Sequence, residues 1–392
     1  MKESLIIGIY GISGCGKSHA LRELPDAHPE WQYWEGSSIM EQVLRERNRD
    51  LDSFRAMTPE DKTAIRSMAV EPIRERAQGR VVLVAGHATF FKGCKGGSRV
   101  FESVFSDQDA LTYNAIVYLK NSAEIVSKQR ANDASTGQRA RPNMTESDLQ
   151  AWMSYEEAVL QQSCKKHDIP LHIWSLSRGE NTVKENDDHD PHHETLESLI
   201  RDEFVANFIA RAHETSTQAL LSAINSIPNA DTYMLIDGDR TMWPGDTGKL
   251  FLGDLSLQQK SIFQRYKTYN FQAFFESAML FATYPTYEER CDALAREIRL
   301  YDSVSSFCRS LPSNVRPVLV TASVREIWAK ALSAAGLGKM SVIAGNHSTL
   351  HNYIISDEAK GLVARELRRL HHGCQILSFG DSGKSTVPNT QG

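Results

Sequence analysis

The sequence predicts two α/β domains in tandem, each a parallel sheet in a three-layer arrangement with helices. Three observations carry this. The apolar run Leu5-Ile6-Ile7-Gly8-Ile9-Tyr10 passes directly into the glycine-rich stretch Gly11-Ile12-Ser13-Gly14-Cys15-Gly16-Lys17-Ser18. A second apolar run, Tyr233-Met234-Leu235-Ile236, ends in Asp237-Gly238-Asp239-Arg240-Thr241. Between them, residues 177–193 are polar and nearly free of large apolar side chains, which reads as a connector. A chain of 392 residues has room for two or three domains, each with its own core.

With 41% hydrophobic and 24% charged residues the chain reads as an ordinary globular protein. A net charge of -5 gives no general pull toward nucleic acid or anionic membrane. The six cysteines, at 15, 94, 164, 291, 308 and 374, form no C-x-x-C pair, so reduced thiols in an intracellular protein are expected. The apolar start runs straight into the glycine-rich stretch and reads as a first strand rather than a signal peptide. No apolar run approaches the roughly 18 residues of a membrane span. A cytoplasmic location and no membrane partner are therefore expected; oligomeric state is not legible.

Residues 11–18 fit G-x-x-x-x-G-K-[ST] at every fixed position, between a buried strand and a helix expected from His19 to Leu24. Glycines let successive backbone N–H groups curl around phosphate oxygens, and the helix adds the positive end of its dipole. The stretch Gly11, Ser13, Gly14, Cys15, Gly16, Lys17 and Ser18 is thus a candidate nucleoside triphosphate cradle for ATP. Lys17 would reach the β- and γ-phosphates, and Ser18 would hold Mg2+.

In chain order, Trp31–Trp34 reads as a second strand ending at Glu35-Gly36-Ser37-Ser38. Glu35 is a candidate general base, or else Glu35 or Ser37 caps the helix that begins near Ile39. Residues 41–79 are helical in pattern, with a helix start at Thr58-Pro59-Glu60-Asp61. Residues 80–87 form an apolar strand tipped by Ala85-Gly86-His87, where a Walker-B acid is missing. A strand at 115–119 precedes an arginine-bearing segment with Arg130, Asp133, Arg139 and Arg141, read as a mobile lid. Its guanidinium groups would neutralise charge on a transferring phosphoryl group, Arg130 and Arg139 in catalysis and Arg141 on the nucleotide. A helix at 148–166 and a strand at 171–174 close a five-stranded unit.

On these residues the segment 5–174 resembles the adenylate-kinase-like group of P-loop kinases, which includes polynucleotide kinases and zeta-toxin-like sugar-nucleotide kinases. The resemblance implies a P-loop NTPase fold, with the end of the second strand facing the acceptor. The expected boundaries are 1–176 for this domain, 177–193 for the linker, 194–228 for connecting helices and 229–392 for the second domain. The second domain's strand ending in D-x-D-x-T resembles the haloacid-dehalogenase-like phosphohydrolases. Further motifs follow in the family's order: a strand ending at Thr321, Lys360 at a helix start, and Gly380-Asp381 after the apolar run Ile376-Leu377-Ser378-Phe379. Residues 250–312 resemble the helical cap of the phosphoserine-phosphatase-like branch of that Rossmannoid fold.

That second resemblance implies that Asp237 attacks phosphorus and that Asp239 protonates the leaving oxygen and then activates water. It further implies that Thr321 and Lys360 hold the phosphoryl group, and that Asp237, Asp239 and Asp381 bind Mg2+. The family's second acid after Gly-Asp and its closing strand and helix are missing before Gly392. The chain therefore reads as truncated relative to the family, with a weakened second site expected. The kinase-then-phosphatase order resembles bacteriophage polynucleotide kinase/phosphatase and certain large fungal kinase–phosphohydrolase fusions. The favoured reading is ATP-dependent phosphorylation of a small-molecule hydroxyl (nucleoside, nucleotide or sugar) joined to an impaired phosphatase. Polynucleotide 5′-kinase/3′-phosphatase action is second, since no nucleic-acid-binding motif is visible; a nucleotide-binding regulator without turnover is third.

Overall fold

The structure is a computed structural model. It describes residues 4–22, 24–77, 79–135, 144–175, 195–266, 269–282, 284, 286–345 and 353–381. Two compact units emerge, residues 1–207 and 208–392. The division falls inside the helical stretch expected as a connector, not at 177–193, which lies outside the described residues together with Arg139 and Arg141. A reason for the later boundary is visible in the first unit. Buried His28 bonds Glu30 at 2.9 Å and, through its other ring nitrogen, Glu197 at 3.0 Å. The helix Leu196–Leu199 is thereby tied to the first unit.

The first unit contains β1 (Leu5–Tyr10), β2 (Gln32–Glu35), β3 (Val81–Ala85), β4 (Thr89–Lys95), β5 (Ser98–Ser103), β6 (Ala115–Lys120) and β7 (Leu171–Ser175). Five of these form a parallel sheet in the order β2-β3-β1-β6-β7. The central strands β1 and β3 are buried along their whole length, as continuous apolar runs in parallel sheets require. Thr58 caps the helix Pro59–Arg76 by accepting from Asp61 N, as its sequence predicts. The helix expected at 19–24 is instead the single turn Lys17–Ala20, and a new one begins at Leu24. Pro25 explains the break, because proline suits a first helical turn and not a helix interior.

Strands β4 and β5 are an antiparallel hairpin that the strand reading passed over. Its two-residue turn, Gly96-Gly97, has φ of 59° and 82°, the pair of positive values that a tight hairpin turn needs. Phe91 and Phe101 pair across it with ring centroids 5.6 Å apart, and Phe101 stacks on Tyr155 of the helix Glu146–His167.

The second unit has β8 (Thr232–Ile236), β9 (Val315–Val324), β10 (Ser341–Gly345) and β11 (Gln375–Phe379), all parallel in the order β10-β9-β8-β11. Alternate residues of β8 feed two cores. Met234 and Ile236 face Phe251, Phe281, Leu319 and Trp328, while Tyr233 and Leu235 face Leu220, Val318, Val363 and Leu367. As expected, residues 250–312 are largely helical, including Ser256–Tyr266, Phe271–Ala282, Tyr287–Glu297 and Asp302–Ser310. No described helix is long and apolar enough to cross a membrane.

Candidate functional site

The glycine-rich turn leaves the C-terminal end of β1 and closes on Lys17. Gly16 has φ 101°, a conformation that a side chain would resist. Lys17 is folded back onto its own loop, donating to the carbonyls of Gly11 and, at 3.3 Å, Ile12, with His87 Nδ1 3.4 Å away. Ser18 Oγ donates to Glu35 Oε1 at 3.3 Å. Glu35 is the residue before the helix Gly36–Arg45 but makes no side-chain cap there, so its carboxylate faces the loop rather than the helix.

A cavity of about 800 Å³ opens beside the loop, lined among others by Lys17, Ser18, Glu35, Phe54, Arg66 and His87. The sequence-predicted residues Ser13, Gly14, Gly16, Lys17, Ser18 and Glu35 therefore meet in one place. Within the loop the Cys15 side chain is buried and does not line the cavity, and burial raises its thiol pKa. Arg130 differs from the lid reading. It is a buried residue of the helix Ala123–Ser135, and its Nη1 donates to Ser13 O at 3.1 Å. An arginine packed there supports the loop from below, because helix packing fixes its guanidinium against the backbone.

One residue that sequence reasoning missed is Glu156, fully buried on the helix Glu146–His167. Its Oε1 accepts from Ala88 N at 2.7 Å and Thr89 N at 3.2 Å, just beyond His87, whose Nδ1 lies 2.9 Å from Gly11 O. The same helix carries Trp152, which donates to Thr89 Oγ1 at 2.9 Å and lies under the Arg130 guanidinium. One helix thus braces both flanks of the loop. Burial pushes the Glu156 carboxyl up to about 7, opposed by Lys17 and the two amides. Its sequence signal, an acid amid the apolar face of a helix, is visible only after the buried side of that helix is known.

In the second unit the Asp237 carboxylate at the end of β8 accepts from Lys360 Nζ at 2.8 Å and from Gly238 N at 2.8 Å. Asp239 is held by Thr247 Oγ1 at 2.9 Å to each oxygen and by Trp243 Nε1 at 3.2 Å. Burial raises Asp239 to about 6. Thr321 is buried inside β9, which continues to Val324 instead of ending there, and accepts from Ser323 N at 3.3 Å. Gly238 packs under Trp328: an added Cβ would lie 2.6 Å from its indole ring. Gly238→Ala is accordingly expected to destabilise the second unit by about 2–3 kcal/mol, read as a lower denaturation midpoint.

Asp237, Asp239 and Asp381, expected to bind Mg2+ together, are not grouped as a three-carboxylate set in this arrangement. Among the described residues no three His, Cys, Asp or Glu side chains are grouped to hold a metal. Lys360 and Gly238 each donate to one Asp237 oxygen, Thr247 and Trp243 engage Asp239, and Asp381 Oδ2 lies 4.0 Å from Arg240 Nη1. At the first site the donors are of the right kind, since the Ser18 hydroxyl and the Glu35 carboxylate are the hard oxygens that Mg2+ prefers.

Motif, parallel sheet and cavity together define the first unit as a P-loop α/β domain. Residues 10–150 match the profile of a family described as an AAA domain. No curated protein matches the chain. Solved structures similar to it include a shikimate kinase from Bacteroides thetaiotaomicron, at 11% identity over 46% of this chain and 90% of that one, with a TM-score of 0.30. A sugar kinase from Janibacter is 17% identical over 45% of this chain and 87% of that one, with a TM-score of 0.28. A structure of the Pnkp1/Rnl/Hen1 RNA repair complex is 13% identical over 98% of this chain and 92% of that one, with a TM-score of 0.27.

Proposed function

We propose that the first unit is an ATP-dependent kinase acting on a small-molecule hydroxyl. The observation that carries this is one cavity holding both the phosphate loop and Glu35, 3.3 Å from Ser18. Backbone N–H groups of the loop cradle the phosphates, and Lys17 leaves its carbonyl partners to meet the β- and γ-phosphate charge. Ser18 would hold Mg2+, which would supply charge neutralisation on the phosphates. Glu35 accepts the proton of the acceptor hydroxyl as its oxygen attacks. Arg130 and Glu156 keep the loop in shape; Arg139 and Arg141 retain the lid role as a sequence-based proposal.

For the second unit we propose a phosphomonoester hydrolase site, supported by the Asp237–Lys360 pair at the C-terminal end of β8. Asp237 Oδ attacks phosphorus, the alcohol departs with the proton of Asp239, and water activated by Asp239 then releases phosphate from the aspartyl phosphate. Lys360 neutralises the charge, and Thr321 would hydrogen-bond the phosphoryl oxygens. Because the leaving oxygen needs a protonated Asp239, turnover at this site is expected to fall as pH rises through about 6, measured as released phosphate across a pH series.

The test uses γ-labelled ATP, Mg2+ and a panel of nucleosides, sugars and 5′-hydroxyl oligonucleotides. Label moving to one acceptor in the wild type, lost in Lys17→Ala and accumulating in Asp237→Asn, supports both sites. Equal label in wild type and Asp237→Asn leaves the kinase and removes the phosphatase. Salt-sensitive transfer to oligonucleotides alone favours polynucleotide end processing. ATP binding without transfer to any acceptor favours the regulatory reading.

A further inference from the structure

The cavity beside the loop has two chemically different ends. Near the loop it offers Lys17, Ser18, Glu35 and His87. Away from the loop its wall is built from the helices Gly36–Arg45, Leu51–Ala56 and Pro59–Arg76, which contribute Met40, Leu51, Phe54, Val70 and Ile73. Two charged side chains, Arg66 and Asp109, also line the cavity. Arg66 donates to Glu102 at 3.3 Å, with its guanidinium 5.7 Å from the Phe54 ring centroid. The Asp109 carboxylate accepts from Ser106 N at 2.8 Å and from the Ser106 hydroxyl.

A sugar hydroxyl set against the aliphatic and aromatic wall would lose its water without gaining a partner there. An alcohol attached to a flat apolar body meets both ends. Its hydroxyl reaches Glu35, while its body lies on Phe54 and Met40 and takes surface out of water.

From this division we infer that the acceptor is an alcohol bearing a flat aromatic body, an aryl alcohol or a nucleoside whose base meets the apolar wall, in preference to a monosaccharide. The inference rests on the kinase reading of the same site and deepens it. Phosphoryl transfer would run from the γ-phosphorus of ATP to that hydroxyl oxygen, breaking the bond to ADP, with the hydroxyl proton passing to Glu35.

The experiment measures label transfer from γ-labelled ATP to four nucleosides, two aryl alcohols and four monosaccharides, with nucleotide affinity followed separately by a fluorescent ATP analogue. The expected result is kcat/KM at least about tenfold higher for the best nucleoside or aryl alcohol than for any sugar. In Phe54→Ala and Met40→Ala that value is expected to fall by about tenfold while ATP affinity stays unchanged. Thermal melts show whether each variant is folded, and Met40→Ala stands in if Phe54→Ala is not. Bound ATP with transfer to a sugar equal to or better than to the apolar alcohols overturns the inference and leaves the kinase standing. Bound ATP with no transfer to any nucleoside or aryl alcohol overturns it too. Failure of wild type to bind the ATP analogue overturns the kinase reading itself.

Discussion

Lys17→Ala is expected to cut phosphoryl transfer by about 10³-fold or more while leaving the fold intact. The ammonium is the loop's own cation, and its present partners are carbonyls of Gly11 and Ile12, two residues of the same turn. Those bonds are exchanged for phosphate oxygens when ATP binds, so the largest loss falls on the transition state, where charge on the transferring group is greatest. The stability cost is small, since the half-exposed side chain bonds mainly its own loop and meets His87 outside it at 3.4 Å. Single-turnover label transfer, with the melting temperature measured beside it, checks both halves. A variant with near wild-type transfer would remove the loop from the chemistry.

The second large effect is expected at Glu156. Its carboxyl titrates near 7 in the folded protein, against an ordinary 4.5. Between those values the folded state binds more protons than the unfolded chain, so stability is greatest below 4.5 and declines as pH rises through 7. The decline attributable to this one group is roughly 3 kcal/mol. Glu156→Gln keeps an oxygen for the Ala88 and Thr89 amides but cannot ionise, so the difference in unfolding free energy between wild type and variant should shrink toward acid pH. Glu156→Leu removes the acceptor altogether. Two buried N–H groups are then unpaired, at a cost of about 2–4 kcal/mol, and the root of the β4–β5 hairpin loosens beside His87. Denaturant titrations of the three proteins from pH 4.5 to 8 would read the slope, and ATP affinity in Glu156→Gln would show how far the brace acts on the loop. A wild-type slope matching that of Glu156→Gln would refute the assignment.

Much of the first site was legible because it is local. Gly11 to Ser18 are contiguous, and each residue type serves a backbone or charge requirement inside one turn. Glu35 was legible as a strand-end acid, with capping as its rival; its carboxylate lies 3.3 Å from Ser18 Oγ and makes no side-chain cap bond. Arg130 read as a lid residue because it falls in an arginine-bearing segment that follows the strand at 115–119. Only the packing of the helix Ala123–Ser135 buries it under Ser13. The hairpin was passed over although Gly96-Gly97 marks its turn, since its strands carry Lys92, Gly93 and Cys94 in place of a clean alternation.

In the second unit the strand and the Asp237–Lys360 pair follow the sequence order of the motifs, 123 residues apart. The expected three-carboxylate metal set does not, because the directions of Asp239 and Asp381 depend on Thr247, Trp243 and Arg240, partners that motif spacing does not report. By itself, then, the sequence determined the two parallel sheets, the phosphate loop and the chain order of the acids, because hydrophobic runs and glycine turns act over a few residues. Tertiary structure alone decided which acids are buried, which arginine supports the loop and which end of the cavity is apolar. Those properties arise from elements that meet across the fold, where burial and hydrogen-bond partners are set by packing and not by neighbours in the chain.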